Sequence, residues 1–221
     1  GTVTHPPTSA LSATSGTFSG NVTIGDASAA DKKILFDGNA QDYHIGLDDS
    51  TDSLTIGLGS ALGTTSHMVI DSTGAVTMPL QPAFSVHKGG TAQSDITAND
   101  AFYTITWSAE RFDQNADFSS NTFTAPVTGK YFLQLNVRLQ QVDTSAGYYI
   151  LGISTSNEDY RFIFDPDFTA DPVYWGIAMS VFADMDANDT VTTSILQQTG
   201  TAQTDIGGSP EYTFFTGFLA C

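Results

Sequence analysis

Cysteine is nearly missing from this chain of 221 residues: Cys221 is the single one, so no intrachain disulfide forms and cysteine usage does not mark the redox compartment. Basic residues are scarce as well. Seven Lys and Arg stand against 24 Asp and Glu, giving a net charge of -17. Such a surface repels phosphate backbones and anionic headgroups, which argues against nucleic acid and against membrane association and favours cations or neutral sugars. No apolar run approaches the roughly 18 residues of a membrane helix, so no membrane insertion is expected, and the N-terminus lacks a basic region followed by an apolar one. His5, His44, His67 and His87 lie in separate segments without ligand spacing. Also missing are H-E-x-x-H, G-x-S-x-G and a Walker loop, so the chain is not expected to be an enzyme. It begins with Gly1 and not Met, and reads as a fragment or a processed chain.

What is present is alternation. In Thr122–Leu139 a corner carrying Pro126 and Gly129 feeds a run in which Tyr131, Leu133, Leu135, Val137 and Leu139 share one face, with Lys130, Phe132, Gln134, Asn136 and Arg138 on the other. Period two over that length predicts a long half-buried strand, with Pro126 and Gly129 confined to the corner. Further strands are expected at residues 83–88, 103–107, 130–142, 148–154, 160–164, 175–183, 190–197 and 212–220. No sustained helical period occurs, and the class is all-β, a β-sandwich or jelly roll beginning near Pro82.

Residues 1–20, rich in Thr, Ser, Ala and Gly, read as an extended leader. Residues 21–81 hold short alternating runs: Asn21–Gly25, Lys32–Gly38, Tyr43–Gly46, Leu54–Gly57, Met68–Asp71 and Ala75–Met78. Strands this short bury little apolar surface. At roughly 25 cal/mol per Å² that hardly offsets an ordering cost of about 1–2 kcal/mol per residue, so a partner must supply burial, most simply further copies of the chain in a β-rich fibrous shaft.

Five segments carry a resemblance. Ala83–Val86, Phe123–Phe132 (F-T-A-P-V-T-G-K-Y-F), the Tyr148-Tyr149 strand, Ser180–Val191 (S-V-F-A-D-M-D-A-N-D-T-V) and Phe214–Leu219 (F-F-T-G-F-L) follow in order. Together residues 82–221 resemble the globular head of complement C1q, within the tumour-necrosis-factor-like jelly-roll group. That resemblance implies a ten-stranded jelly roll and a homotrimer serving as a binding head, with Phe132 turned toward neighbouring subunits. It also implies Ca2+ near the trimer apex as the cofactor to look for, without naming ligands. The run Asp184–Asp189 is no EF-hand, since Asp189 stands where Gly is needed and Ile195 where a bidentate Glu is needed. The preceding region is no collagen, lacking Gly at every third position. Instead Phe36–Ser50 (F-D-G-N-A-Q-D-Y-H-I-G-L-D-D-S) resembles the β shafts of bacteriophage tail fibres.

A β shaft followed by a trimeric head is the layout of a viral adhesion fibre. The expectation is therefore a phage tail fibre or virion-surface adhesin, extracellular, joined to other virion proteins through its N-terminus. Its head would bind a host cell-surface receptor, glycan or protein, without catalysis. The competing readings are a structural virion decoration and, behind it, a polysaccharide depolymerase. Sugar recognition needs aromatic faces beside hydroxyl-binding carboxylates. Tyr160, Phe168, Tyr174 and Trp175 with Asp165, Asp167 and Asp171 supply these types near one turn-rich stretch, Phe164–Val173, which is the expected recognition loop.

Overall fold

The computed structural model describes residues 15–96 and 100–221; His5 and most of the leader read at residues 1–20 lie outside the described residues. Two compact units divide the chain, Gly1–Thr77 and Met78–Cys221. Among the described residues every regular element is a strand, and no helix is long and apolar enough to cross a membrane.

In the first unit β1 (Lys32–Phe36), β2 (Tyr43–Asp48), β3 (Ser53–Leu58), β4 (Ser66–Ile70) and β5 (Val76–Thr77) form one antiparallel meander in chain order. Its burial is inverted. Along β2 and β3 the covered positions are His44, Gly46, Asp48, Ser53, Thr55 and Gly57, whereas Tyr43, Ile45, Leu47, Leu54 and Ile56 are exposed. Cross-strand register stacks the apolar set into rows: Ile34, Ile45, Ile56 and Met68 in one, Leu47, Leu54 and Ile70 in another. The polar face is closed by the chain's own return between β3 and β4, where the Leu58 N–H donates to Thr65 O at 2.9 Å. Glycine is required beneath it: a Cβ on Gly46 would sit 2.9 Å from Leu62 Cδ2, and one on Gly57 2.7 Å from His44 Nε2. The Asn21–Gly25 run is not a strand. It has no neighbour to pair with, and Ile24 instead borders a hollow of about 250 Å3 with Ile34, Ile45, Leu47 and Leu54.

The second unit opens with β6 (Ala83–His87), β7 (Gln93–Ile96), β8 (Tyr103–Thr104), β9 (Ala109–Gln114), β10 (Phe118–Ser119) and β11 (Thr122–Thr124). It continues with β12 (Gly129–Gln140), β13 (Tyr148–Thr155), β14 (Asp159–Phe164), β15 (Tyr174–Met185), β16 (Thr190–Gln198), β17 (Thr204–Ile206) and β18 (Phe214–Leu219). One sheet runs β9-β6-β18-β12-β15, with β17 and β7 extending the free edge of β12; the other runs β10-β11-β16-β13-β14, with β8 on β16. Apart from the β13–β14 hairpin, the long strands from β12 to β16 cross from one sheet to the other, which is the order of a jelly roll.

β12 is the spine of this unit. Tyr131, Leu133, Leu135, Val137 and Leu139 are fully buried, while Phe132, Gln134, Asn136 and Arg138 lie on the outer face. Phe84 stacks on Phe123 with centroids 4.6 Å apart, and meets Phe215 edge-on at 5.0 Å. Gly129 departs from the corner expected of it: it is the first residue of β12 and carries no positive φ. Its lack of a side chain serves a close approach, for a Cβ there would come within 2.7 Å of Cys221 O. The expected strand at 103–107 contracts to Tyr103–Thr104, and β7, β9, β10 and β17 are additions to those expected.

Candidate binding surface

Phe164–Val173 connects β14 to β15 and delivers several of the expected site residues to one end of the sandwich. Phe168 packs on Trp175 with ring centroids 4.7 Å apart. Asp171 is committed to the loop after β12, accepting from Thr144 N–H at 2.9 Å and Thr144 Oγ at 2.6 Å. Tyr174 and Trp175 open β15, both exposed. Asp165 and Asp167 are exposed on the same stretch. Tyr160 stands apart: it lies on β14, opposite Ile153, packed against the core, where burial and then Glu158 push its hydroxyl pKa up.

Trp175 registers with core-facing Leu139 and Tyr174 with outward Gln140, and two residues outside that expectation join Tyr174 on the outer face. Arg138 leaves the outer face of β12 with its guanidinium carbon 4.8 Å from the Tyr174 ring centre and 5.0 Å from that of Tyr212. The Arg138 backbone is fixed on both sides, its N–H donating to Thr213 Oγ at 3.2 Å and its carbonyl accepting from Gly207 N–H at 2.8 Å. Asn136 Nδ2 donates to Tyr212 O at 2.7 Å, holding the second ring. The alternation of β12 places Arg138 on the outer face, but Tyr212 lies 74 residues further on, and no spacing rule joins them.

Behind this end, Asp143 pins two turns. Its carboxylate accepts from Ser145 N–H and Oγ and, through the other oxygen, from Thr201 N–H at 2.6 Å and Ala202 N–H at 2.7 Å. Burial pushes its pKa up, yet these donors outweigh burial and hold it below the usual carboxylate value.

The opposite end of the same outer face carries a different cluster. Phe132 meets Phe182 at 5.4 Å and Phe218 at 5.5 Å, and the flanking rings are 67% and 46% exposed. Lys130 on this face pairs with Asp184 at 2.5 Å. A separate cleft of about 550 Å3 opens between Trp107, Glu110, Phe118 and Asn121. Asp113 and Asp117 come nearest to a coupled carboxylate pair: burial, then Asp113, raises Asp117, while Asp113 accepts the N–H groups of Asp117 and Phe118.

Among the described residues no three His, Cys, Asp or Glu side chains come together as a metal site. Within Asp184–Asp189, Asp184 faces Lys130 and Asp189 accepts from Asn157 Nδ2 and the Asp186 N–H.

Neither a protein-family profile nor a curated protein sequence matches the chain. Among solved structures, the globular domain of zebrafish complement 1qA protein aligns with a TM-score of 0.43 at 20% identity, covering 64% of this chain and 98% of that one. Murine APRIL at pH 8.5 aligns at 0.45 and 14% identity, covering 63% of this chain and 98% of its own.

Proposed function

We propose that this chain is a homotrimeric fibre protein of a virion surface, most simply a bacteriophage tail fibre. In this reading residues 1–20 lead in from other virion proteins, residues 21–81 form a shaft segment, and residues 82–221 form a head that binds a host cell-surface receptor, a glycan. The inverted sheet carries the reading. Ile34, Ile45, Leu47, Leu54 and Ile56 present an apolar face that their own chain leaves in water, and burying such a side chain fully is worth about 1.5–3 kcal/mol. Copies of the same chain bring the same face by symmetry, so three chains wound together cover it without a second kind of protein.

The trio of Phe132, Phe182 and Phe218 supports a matching contact in the head. The exposed ring of Tyr174 on the outer face supports sugar recognition by stacking on C–H patches. Three equal sites on one particle turn millimolar contacts into useful avidity, so binding is the whole activity and no catalysis is needed.

Purified full-length chain is expected to sediment with the mass of three copies, to label the surface of host cells, and to compete with adsorption of the virus that carries it. A single-chain mass overturns the shaft assignment; a trimer that neither labels cells nor competes overturns receptor binding and favours a structural decoration.

A further inference from the structure

All seven basic side chains are described, and six of them have an oxygen partner. Lys32 meets Asp26, Lys130 meets Asp184 and Arg161 meets Asp159. Lys33, Lys88 and Arg111 donate to the carbonyls of Ser60, Thr106 and Pro210. Arg138 is the seventh. Among the described residues its guanidinium has no acceptor, and its buried Nε is left without a hydrogen bond.

The surroundings of that guanidinium have a definite shape. Tyr174 and Tyr212 hold it between their rings. Gly207 backs it, so close that a Cβ there would stand 2.8 Å from Nε. The remaining side is open: the cross-strand neighbour of Arg138 is Gly176, where a Cβ would meet nothing within 4 Å. With 24 acidic residues in the chain, none is paired with this cation. Glu211, whose carboxyl is lowered first by Ser209 and last by the charges of Arg111 and Arg138, accepts the Ser209 hydroxyl at 2.5 Å.

We propose that Arg138 anchors the carboxylate of an acidic sugar, which enters over Gly176 and lays its C–H face against Tyr174 or Tyr212. The proposal rests on the reading of the head as a glycan-binding module and specifies the charge of its ligand. A guanidinium offers paired N–H donors matched to a carboxylate, and one already gripped by two rings loses little rotamer freedom when the ligand arrives. The net charge of -17 favours a neutral ligand at long range, but screening confines that field to roughly 8 Å at physiological salt, and the local cation decides. Within that range Glu211 disfavours a dianion more than a monoanion, which selects a carboxylate over a phosphate.

The test titrates full-length chain with glucuronate, glucose and glucose 6-phosphate by ligand-observed NMR. Glucuronate is expected to bind in the millimolar range, at least about tenfold tighter than glucose, as a charge-assisted hydrogen-bond pair warrants. Arg138→Gln removes that preference. Gly176→Leu fills the open side and weakens glucuronate about tenfold, whereas Lys130→Gln, roughly 25 Å along the same strand, leaves it unchanged. All variants sediment as the parent does. Equal affinity for glucuronate and glucose, no detectable glucuronate binding, or an unchanged preference in Arg138→Gln overturns the proposal. So does glucose 6-phosphate binding as tightly as glucuronate, which marks a general anion site. A change of sedimenting mass in Arg138→Gln without loss of glucuronate binding makes Arg138 a subunit contact and also overturns it. Sugar binding without acid preference leaves the binding-head reading standing; failure to label host cells sinks that reading whatever the sugars do.

Discussion

The ammonium of Lys88 lies inside the second unit, 2.8 Å from the carbonyl oxygen of Thr106, with Thr106 Oγ at 3.0 Å and Gln93 Oε1 at 3.1 Å completing its shell. Only 2% of the residue is exposed. Three neutral acceptors satisfy the donors without supplying a counter-charge, and burial pulls the pKa from 10.5 down to about 8. Between those values the unfolded chain holds a proton that the folded one has released. Stability therefore rises with pH across that window, by up to about 1.4 kcal/mol per unit from this group. Urea unfolding at pH 7.5–9.5 is expected to show the rise in the parent and to lose it in Lys88→Met, although buried tyrosines titrate in both proteins. Equal slopes would contradict the assignment.

Asp143 gives the opposite sign. Its folded pKa lies below 3.8, so its contribution is present above that value and is lost as pH falls through the folded pKa. Asp143→Asn removes a charged acceptor from Thr201 and Ala202 N–H and is expected to cost about 2–3 kcal/mol at pH 7. At pH 3 the gap between parent and variant should narrow. Hydrogen exchange at Thr201 and Ala202 should quicken in the variant even where global unfolding is not limiting. A gap that stays constant down to pH 3 rules the carboxylate out as the cause.

Alternation made the spine legible: each of Tyr131, Leu133, Leu135, Val137 and Leu139 sits in the core as period two demands. It could not say which face of Tyr43–Asp48 the fold covers, since period two defines two faces and no side. There the covered face is the polar one, because a glycine-dependent return loop lies over it. A-E-R-F-D-Q at 109–114 gave no strand signal, yet it is the edge strand β9, where charge is tolerated and discourages stray pairing. The Arg138 clamp stayed hidden for a different reason. Its rings come from residues 36 and 74 positions away in sequence, and only the β12 registers with β15 and β18 bring them together.

Gly57 tests the inverted sheet from within. A Cβ at this position would stand 2.7 Å from His44 Nε2, a fully buried ring whose Nδ1 is engaged with Gly59 O at 2.9 Å. Gly57→Val is expected to lose more than about 2 kcal/mol from the first unit through overpacking. Exchange protection of β2 and β3 should fall, while that of β12 and β18 in the second unit is retained. Loss of protection in both units together would show that they unfold as one.

Phe182 separates assembly from folding in the second unit. Its ring is 67% exposed in the single chain and touches Phe132 at 5.4 Å on a face that the chain itself leaves open. Replacing an exposed residue of this kind changes the stability of one chain by no more than about 0.5 kcal/mol. Should the same ring lie at the centre of a contact between copies, a charge there costs about 2 kcal/mol or more per contact. Phe182→Lys in the full-length chain is therefore expected to raise the trimer dissociation constant by at least about thirtyfold in sedimentation equilibrium, with the urea midpoint of the dissociated chain unmoved. Phe112, about as exposed as Phe218 but on the edge strand β9, provides the control: Phe112→Lys should leave association as it is. An equal loss in both variants would mean that added positive charge, and not the Phe132, Phe182 and Phe218 face, drives dissociation.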